Sequence, residues 1–205
     1  MLRTTLALLL PITTAACGTI TPEPEALTAA AKADRPTIRV GDRWAFACSE
    51  GSKTSYVFTV ITSVDAAGAK GKSNGRPLIL TPDLNEVQGA RWSHTPELKL
   101  YSFPLEVGKK WSGTDDWVDQ TNADEGSERV NVTVASYEKV RVPAGEFDAF
   151  RLELISDWSS NQVYAGATSA TIWYAPAARG QVKMQMRVQD EAQIVCEMTA
   201  MQLQP

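Results

Sequence analysis

The sequence predicts an all-β fold: a single antiparallel β-barrel or strongly curved half-barrel, assembled from what read as two similar β-units after a disordered tether. Three observations predict it. From Thr37 onward apolar residues recur with a period of two, turn-forming residues separate the runs at short intervals, and no segment carries the 3.6-residue period of an amphipathic helix. At 205 residues the chain is long enough for one domain with extra segments, and a domain of about 150 residues buries about 70% of its unfolded surface, so neither metal nor disulfides are needed merely to fold. The net charge of -4 argues against a nucleic-acid partner, which needs a basic face to displace counterions from phosphates.

The first element, residues 1–16, reads as a secretory signal. Arg3 supplies the positive start, Leu6 to Ile12 the short apolar run, and Thr13 to Ala16 the small residues before a cut. A spanning helix needs about 20 apolar residues, so this run does not span a membrane. Thr14-Ala15-Ala16-Cys17-Gly18 resembles a bacterial lipobox, with Thr14 departing from the larger aliphatic residue usual there. The resemblance implies that Cys17 is acylated and becomes the new N-terminus, and that Gly18 directs the protein to an outer membrane, facing the periplasm, if there is one. The alternative is ordinary signal-peptidase cleavage with Cys17 left as a thiol. Residues 17–36 then form a Pro-, Glu- and Ala-rich tether, since Thr21-Pro22-Glu23-Pro24-Glu25 cannot bury enough apolar area to offset ordering.

Residues 37–205 form the β-domain. Trp44, Phe46 and Cys48 share one face of the first run. Tyr56, Phe58, Val60, Thr62 and Val64 alternate in the second, and are expected to share a buried face. Later runs are Val130-Val132-Val134, Phe150-Leu152-Leu154, Val182 to Val188 and Ile194-Cys196-Met198. Turns are expected at Gly41-Asp42, Gly51-Ser52, Ala66 to Gly68, Ser73 to Gly75, Gly126-Ser127, Pro143 to Gly145 and Gly166. Val40-Gly41-Asp42-Arg43-Trp44 recurs as Val107-Gly108-Lys109-Lys110-Trp111, each followed by an alternating run and a Gly turn. This echo is either a coincidence or the mark of two β-units sharing one core.

Val142-Pro143-Ala144-Gly145-Glu146-Phe147-Asp148-Ala149 and Trp173-Tyr174-Ala175-Pro176 with Gly180-Gln181-Val182-Lys183 form the strongest pattern in the chain. It resembles a TapB-like group of bacterial exported proteins and lipoproteins of unknown function, over about residues 100–188. The resemblance implies an antiparallel barrel or half-barrel and no known reaction. Here the hairpin after Pro176 is one residue longer than in the group and lacks its Gly.

Cys48 lies in the first run and Cys196 in the last. If the sheet closes, these strands become neighbours within disulfide reach, and an exported protein would oxidise the pair; the alternative is two buried thiols. His94, the single histidine, reads as a strand-end or loop residue, and nothing pairs a nucleophile with it, so no catalytic residue and no cofactor is expected. Asp115, Asp116, Asp119, Asp124, Glu125 and Glu128 read as a solvated loop tip; calcium on such a loop is the alternative, and no metal is expected. Trp44, Trp111 and Trp173 are the candidates to line a pocket for an apolar ligand.

The expected function is thus a lipid-anchored cell-envelope protein with a non-catalytic structural or interaction role. Its partners would be the membrane, through the lipid, and an envelope protein. A small-barrel carrier or sensor of an apolar ligand, such as an acyl chain or lipoprotein tail, is the alternative, and an enzyme on envelope polymers a third reading.

Overall fold

Alternating side chains build strands along nearly the whole chain. The computed structural model describes residues 31–162, 164–189 and 191–205. In chain order the strands are β1 (Lys32–Ala33), β2 (Arg43–Glu50), β3 (Lys53–Asp65), β4 (Gly68–Ser73), β5 (Arg76–Leu80), β6 (Glu86–Gln88), β7 (Trp92–Leu98), β8 (Leu105–Glu106), β9 (Lys110–Asp119), β10 (Glu125–Val142), β11 (Gly145–Ser160), β12 (Ala165–Ala175), β13 (Gly180–Val188) and β14 (Ile194–Gln202). The helical content of the described residues is a single 3-10 turn, Pro176–Ala178. Strands β2 to β7 and β9 to β14 are two six-stranded meanders. Antiparallel pairing of β7 with β9 and of β14 with β2 closes them into one barrel. The short β1 and β8 pair apart from it, placing Ala33 and Leu105 against its core, so ordered pairing starts at Lys32, inside the segment read as tether.

Two apolar clusters fill the interior. One centres on Val130, Val132, Val134, Phe150, Leu152, Ile172 and Tyr174, closed by Tyr101 and Leu105 from the connection between the meanders. The other centres on Trp44, Phe46, Ile61, Phe147, Val182 and Met198. Within β3 the expected face is reversed. Tyr56 and Phe58 are exposed, at 72% and 49%, and the buried face is carried by Ile61 with the half-buried Val57. The more apolar parity in this strand points outward, because its pairing partner Phe46 lies opposite Val57, not opposite Phe58. Two expected turns also fall elsewhere. Gly126 and Gly166 lie inside β10 and β12, where they make room for Trp117 and Trp158, whose ring atoms a Cβ would approach within 2.4 and 2.6 Å.

The sequence echo is a structural repeat. Gly41 and Gly108 both take positive φ, +93° and +89°. The Gly41 N–H donates to the Ile61 carbonyl and the Ile61 N–H to the Asp42 carbonyl; the Gly108 N–H donates to the Val134 carbonyl and the Val134 N–H to the Lys109 carbonyl. Each anchor residue also stands at a register shift of its strand, Ile61/Ser63 in β3 and Val134/Ser136 in β10. The following tryptophans repeat a role, Trp44 Nε1 donating to the Ala178 carbonyl and Trp111 Nε1 to the Lys99 carbonyl.

The β14–β2 seam is held three ways. Cys196 and Cys48 are register partners and are joined by a disulfide. The fully buried Asp42 carboxylate accepts from the Arg39 and Gln204 backbone N–H groups at 2.9 and 2.7 Å and from the Arg179 guanidinium at 3.1 Å. The ladder itself supplies the third.

Cys48→Ala with Cys196→Ala opens a loop of 148 residues, which in the chain-entropy account lowers stability by about 5 kcal/mol; denaturant melts of the double variant and the parent check this. Gly68 and Gly145 end equivalent turns at φ +134° and +137°, but a Cβ on Gly68 would lie 2.0 Å from the Leu80 carbonyl oxygen, whereas one on Gly145 meets nothing nearer than 4.0 Å. Thermal melts should therefore show Gly68→Ala destabilising more than Gly145→Ala, although both carry the same backbone strain.

Candidate functional site

The acidic stretch read as a loop tip is mostly sheet. Asp115 and Asp119 are buried in β9, Glu128 is half-buried in β10, and only residues 120–124 form the turn between them. Strand alternation sends Asp115, Trp117 and Asp119 inward and Asp116 and Val118 outward. His94 is likewise neither loop nor strand end: it lies within β7, 6% exposed.

These side chains meet. Pairing of β7 with β9 brings the His94 Nδ1 to 2.7 Å from the Asp115 Oδ2, both groups buried. The other ring nitrogen, Nε2, faces the Glu86 carboxyl, 3.9 Å away on β6. Glu128 is the direct register partner of Asp115 and faces the Ser156 hydroxyl of β11. Burial holds the Glu86 and Glu128 carboxyls above the usual carboxylate range, His94 partly offsetting it in both, and Asp115 adds to the rise at Glu128. Among the described residues no lysine or arginine bonds to Glu86, Asp115 or Glu128. Asp119, by contrast, is held at about 2 by its hydrogen bonds from the Arg91 guanidinium, with Thr121 adding two more.

Chemically, the Asp115 contact orients the imidazole so that Nε2 is turned toward a carboxyl that burial inclines toward its neutral form. Among the described residues no hydroxyl or thiol bonds to that nitrogen. Among the described residues no group of three or more His, Cys, Asp or Glu is placed to hold a metal ion. The sequence offered little sign of this cluster. Its members come from four strands, and only the β6–β7–β9–β10 order makes them neighbours.

The expected lining tryptophans do not gather round one cavity. Trp44 borders an apolar cavity of about 190 Å³ with Phe46, Ile61, Leu84, Leu100 and Tyr101, into which Glu86 and Arg179 also reach. Trp111, its repeat counterpart, packs on the other cluster. Trp173 packs at the edge of the Trp44 cluster without bordering that cavity, its indole N–H donating to Glu138 and its ring under the Lys183 ammonium. Another depression, about 520 Å³, is lined by Thr95, Thr114, Asp116, Ser127, Arg129 and Asp157 together with Asp115 and Glu128. Cys17 lies outside the described residues.

A closed antiparallel barrel of two six-stranded meanders, packed with apolar side chains, is therefore the class of protein that fold and site define. Its fold is shared with two solved structures. One is from Parabacteroides distasonis, provisionally described as a lipoprotein: 12% identical, TM-score 0.55, the match covering 83% of this chain and 99% of that one. The other is from Bacteroides fragilis, provisionally described as an exported protein with a YmcC-like fold: 14% identical, TM-score 0.54, with the same coverages. No protein-family pattern and no curated protein matches the sequence.

The raised carboxyls set a pH dependence. A carboxyl whose folded pKa exceeds its unfolded value stabilises fully below the unfolded value, about 4.5, and loses that contribution as pH rises through the folded one. Glu128→Gln should therefore raise the thermal midpoint more at pH 8 than at pH 4.5 relative to the parent, read by melts across that range.

Proposed function

We propose that the chain is a lipid-anchored protein of the bacterial cell envelope, held by Cys17, with the barrel acting as a non-catalytic structural or interaction module. Where an outer membrane is present, the barrel faces the periplasm. One observation carries the choice among the readings: the interior is filled. Its two apolar clusters leave a cavity of about 190 Å³ beside Trp44, below the roughly 300 Å³ at which sites for drug-sized ligands begin. A carrier of acyl chains or lipoprotein tails needs a larger hollow. The buried His94, bonded to Asp115 and, among the described residues, to no nucleophile, favours a non-catalytic role over an envelope-polymer enzyme.

The anchor reading is supported by the lipobox-like Ala15-Ala16-Cys17-Gly18 and by the resemblance of the Pro143 and Trp173 motifs to TapB-like exported proteins. The descriptions of the two fold neighbours as a lipoprotein and an exported protein agree with it. Three acyl groups on Cys17 exceed what stable anchoring needs, at about 0.8 kcal/mol per buried CH₂. The test is metabolic labelling with a radioactive fatty acid followed by fractionation. The parent chain should carry label and sediment with membranes even in high salt, and Cys17→Ser should lose the label and be released from membranes by high salt; a parent chain that takes no label overturns the anchor.

A further inference from the structure

The reversed face of β3 leaves aromatic side chains on the outside of the barrel with basic ones around them. Tyr56 and Phe58 are 72% and 49% exposed, and Val60 continues their parity. Register places the small residues Ala47 and Ala45 of β2 opposite Tyr56 and Phe58, so nothing bulky shields the rings from that side. The next register pairs put Arg43 on one flank of Val60 and Lys72 on the other, with Lys70 two residues along β4 on the same face. Arg43, Lys70 and Lys72 are exposed, and none has a carboxylate partner among the described residues. The nearest acid across β14 is Glu197, opposite Ala47, and it is paired with Lys183 at 2.7 Å. In a chain of net charge -4 this is a local reversal of sign, on a face with two exposed aromatic rings.

We propose that this β2–β3–β4 face docks on the anionic surface of a phospholipid bilayer, Tyr56 and Phe58 entering the headgroup region while Arg43, Lys70 and Lys72 meet lipid phosphates. The Tyr56 ring, apolar with a hydroxyl at its tip, partitions to that depth, Phe58 adds apolar contact beside it, and neighbouring cations gain from the negative surface potential. The face is an open sheet surface with both rings standing out to solvent, which suits a fluid layer better than a peptide side chain. Fourteen residues separate Cys17 from Ala31, where the described chain begins, a span of at most about 50 Å. The face would thus be within reach of a bilayer that holds Cys17, but its contact does not depend on the acyl group.

Co-sedimentation with vesicles tests this, using the full chain carrying Cys17→Ser so that no acyl group contributes. Vesicles of phosphatidylethanolamine with 30% phosphatidylglycerol should bind the protein, vesicles of phosphatidylcholine should bind it at least tenfold less, and 0.5 M salt should narrow the difference. Tyr56→Ser with Phe58→Ser, and separately Lys70→Glu with Lys72→Glu, should each cut binding to the anionic vesicles tenfold or more while leaving the thermal midpoint within a few degrees. All four side chains are solvent-facing, so folding is not at stake. Equal binding by parent and variants, or no preference for the anionic vesicles, overturns the proposal. So does a result in which the variants lose a cross-linked envelope protein but the parent ignores vesicles, which assigns the face to a protein. Vesicle binding that persists when Cys17 proves unlabelled in cells upholds this face and rejects the anchor alone.

Discussion

Everything in the barrel depends on the seam where its last strand meets its first. Twelve strands can pair locally through hairpins and short connections, but β14 must find β2 across almost the whole chain, and until it does both meanders have an open edge. The structure concentrates its strongest constraints there. A carboxylate with no exposed surface, Asp42, binds the backbone of the chain just before β2, the backbone just after β14, and a guanidinium from the 3-10 turn preceding β13. One buried charge so shared is fully satisfied only when all three segments are in place, which makes closure cooperative. The Cys48–Cys196 bond then fixes the register that the carboxylate selects.

At the other seam, between β7 and β9, the chemistry differs. There the strands join through a buried imidazole and carboxylate, and the position equivalent to Asp42 is Lys109, whose ammonium donates to the Ser102 and Pro104 carbonyls of the connection between the halves. The two halves have kept the backbone device, a glycine turn pinned to a bulged neighbour, while inverting the charge that locks it. One seam is thus closed by a disulfide and a shared carboxylate, the other by an imidazole–carboxylate contact.

The architecture was largely legible in the sequence because it rests on period-two alternation and on glycines that must take positive φ. The pairing of Cys48 with Cys196 followed from closure alone. The errors share a cause. Tyr56-Phe58-Val60 alternates as well as any core strand, and apolar alternation does not say which parity faces in; only the position of Val57 opposite Phe46 decides it. His94 and Asp115 looked like surface residues because each sits among polar neighbours. Their burial comes from strands 21 residues apart meeting at the seam, and no local pattern encodes that. The three tryptophans were grouped by residue type, whereas the fold sets Trp111 against one apolar cluster and Trp44 and Trp173 against the other.

The repeat has one more consequence. Since both seams join one meander to the other, two chains could exchange meanders and form the same hydrogen bonds in a reciprocal dimer. Strand pairing alone makes no distinction between closure within a chain and closure between copies. What distinguishes them is the connection from Lys99 to Lys109, which stays packed in the barrel through Tyr101 and Leu105 and keeps the second half beside the first. That buried linker acts as a record of kinship, holding each half to the partner it was synthesised with.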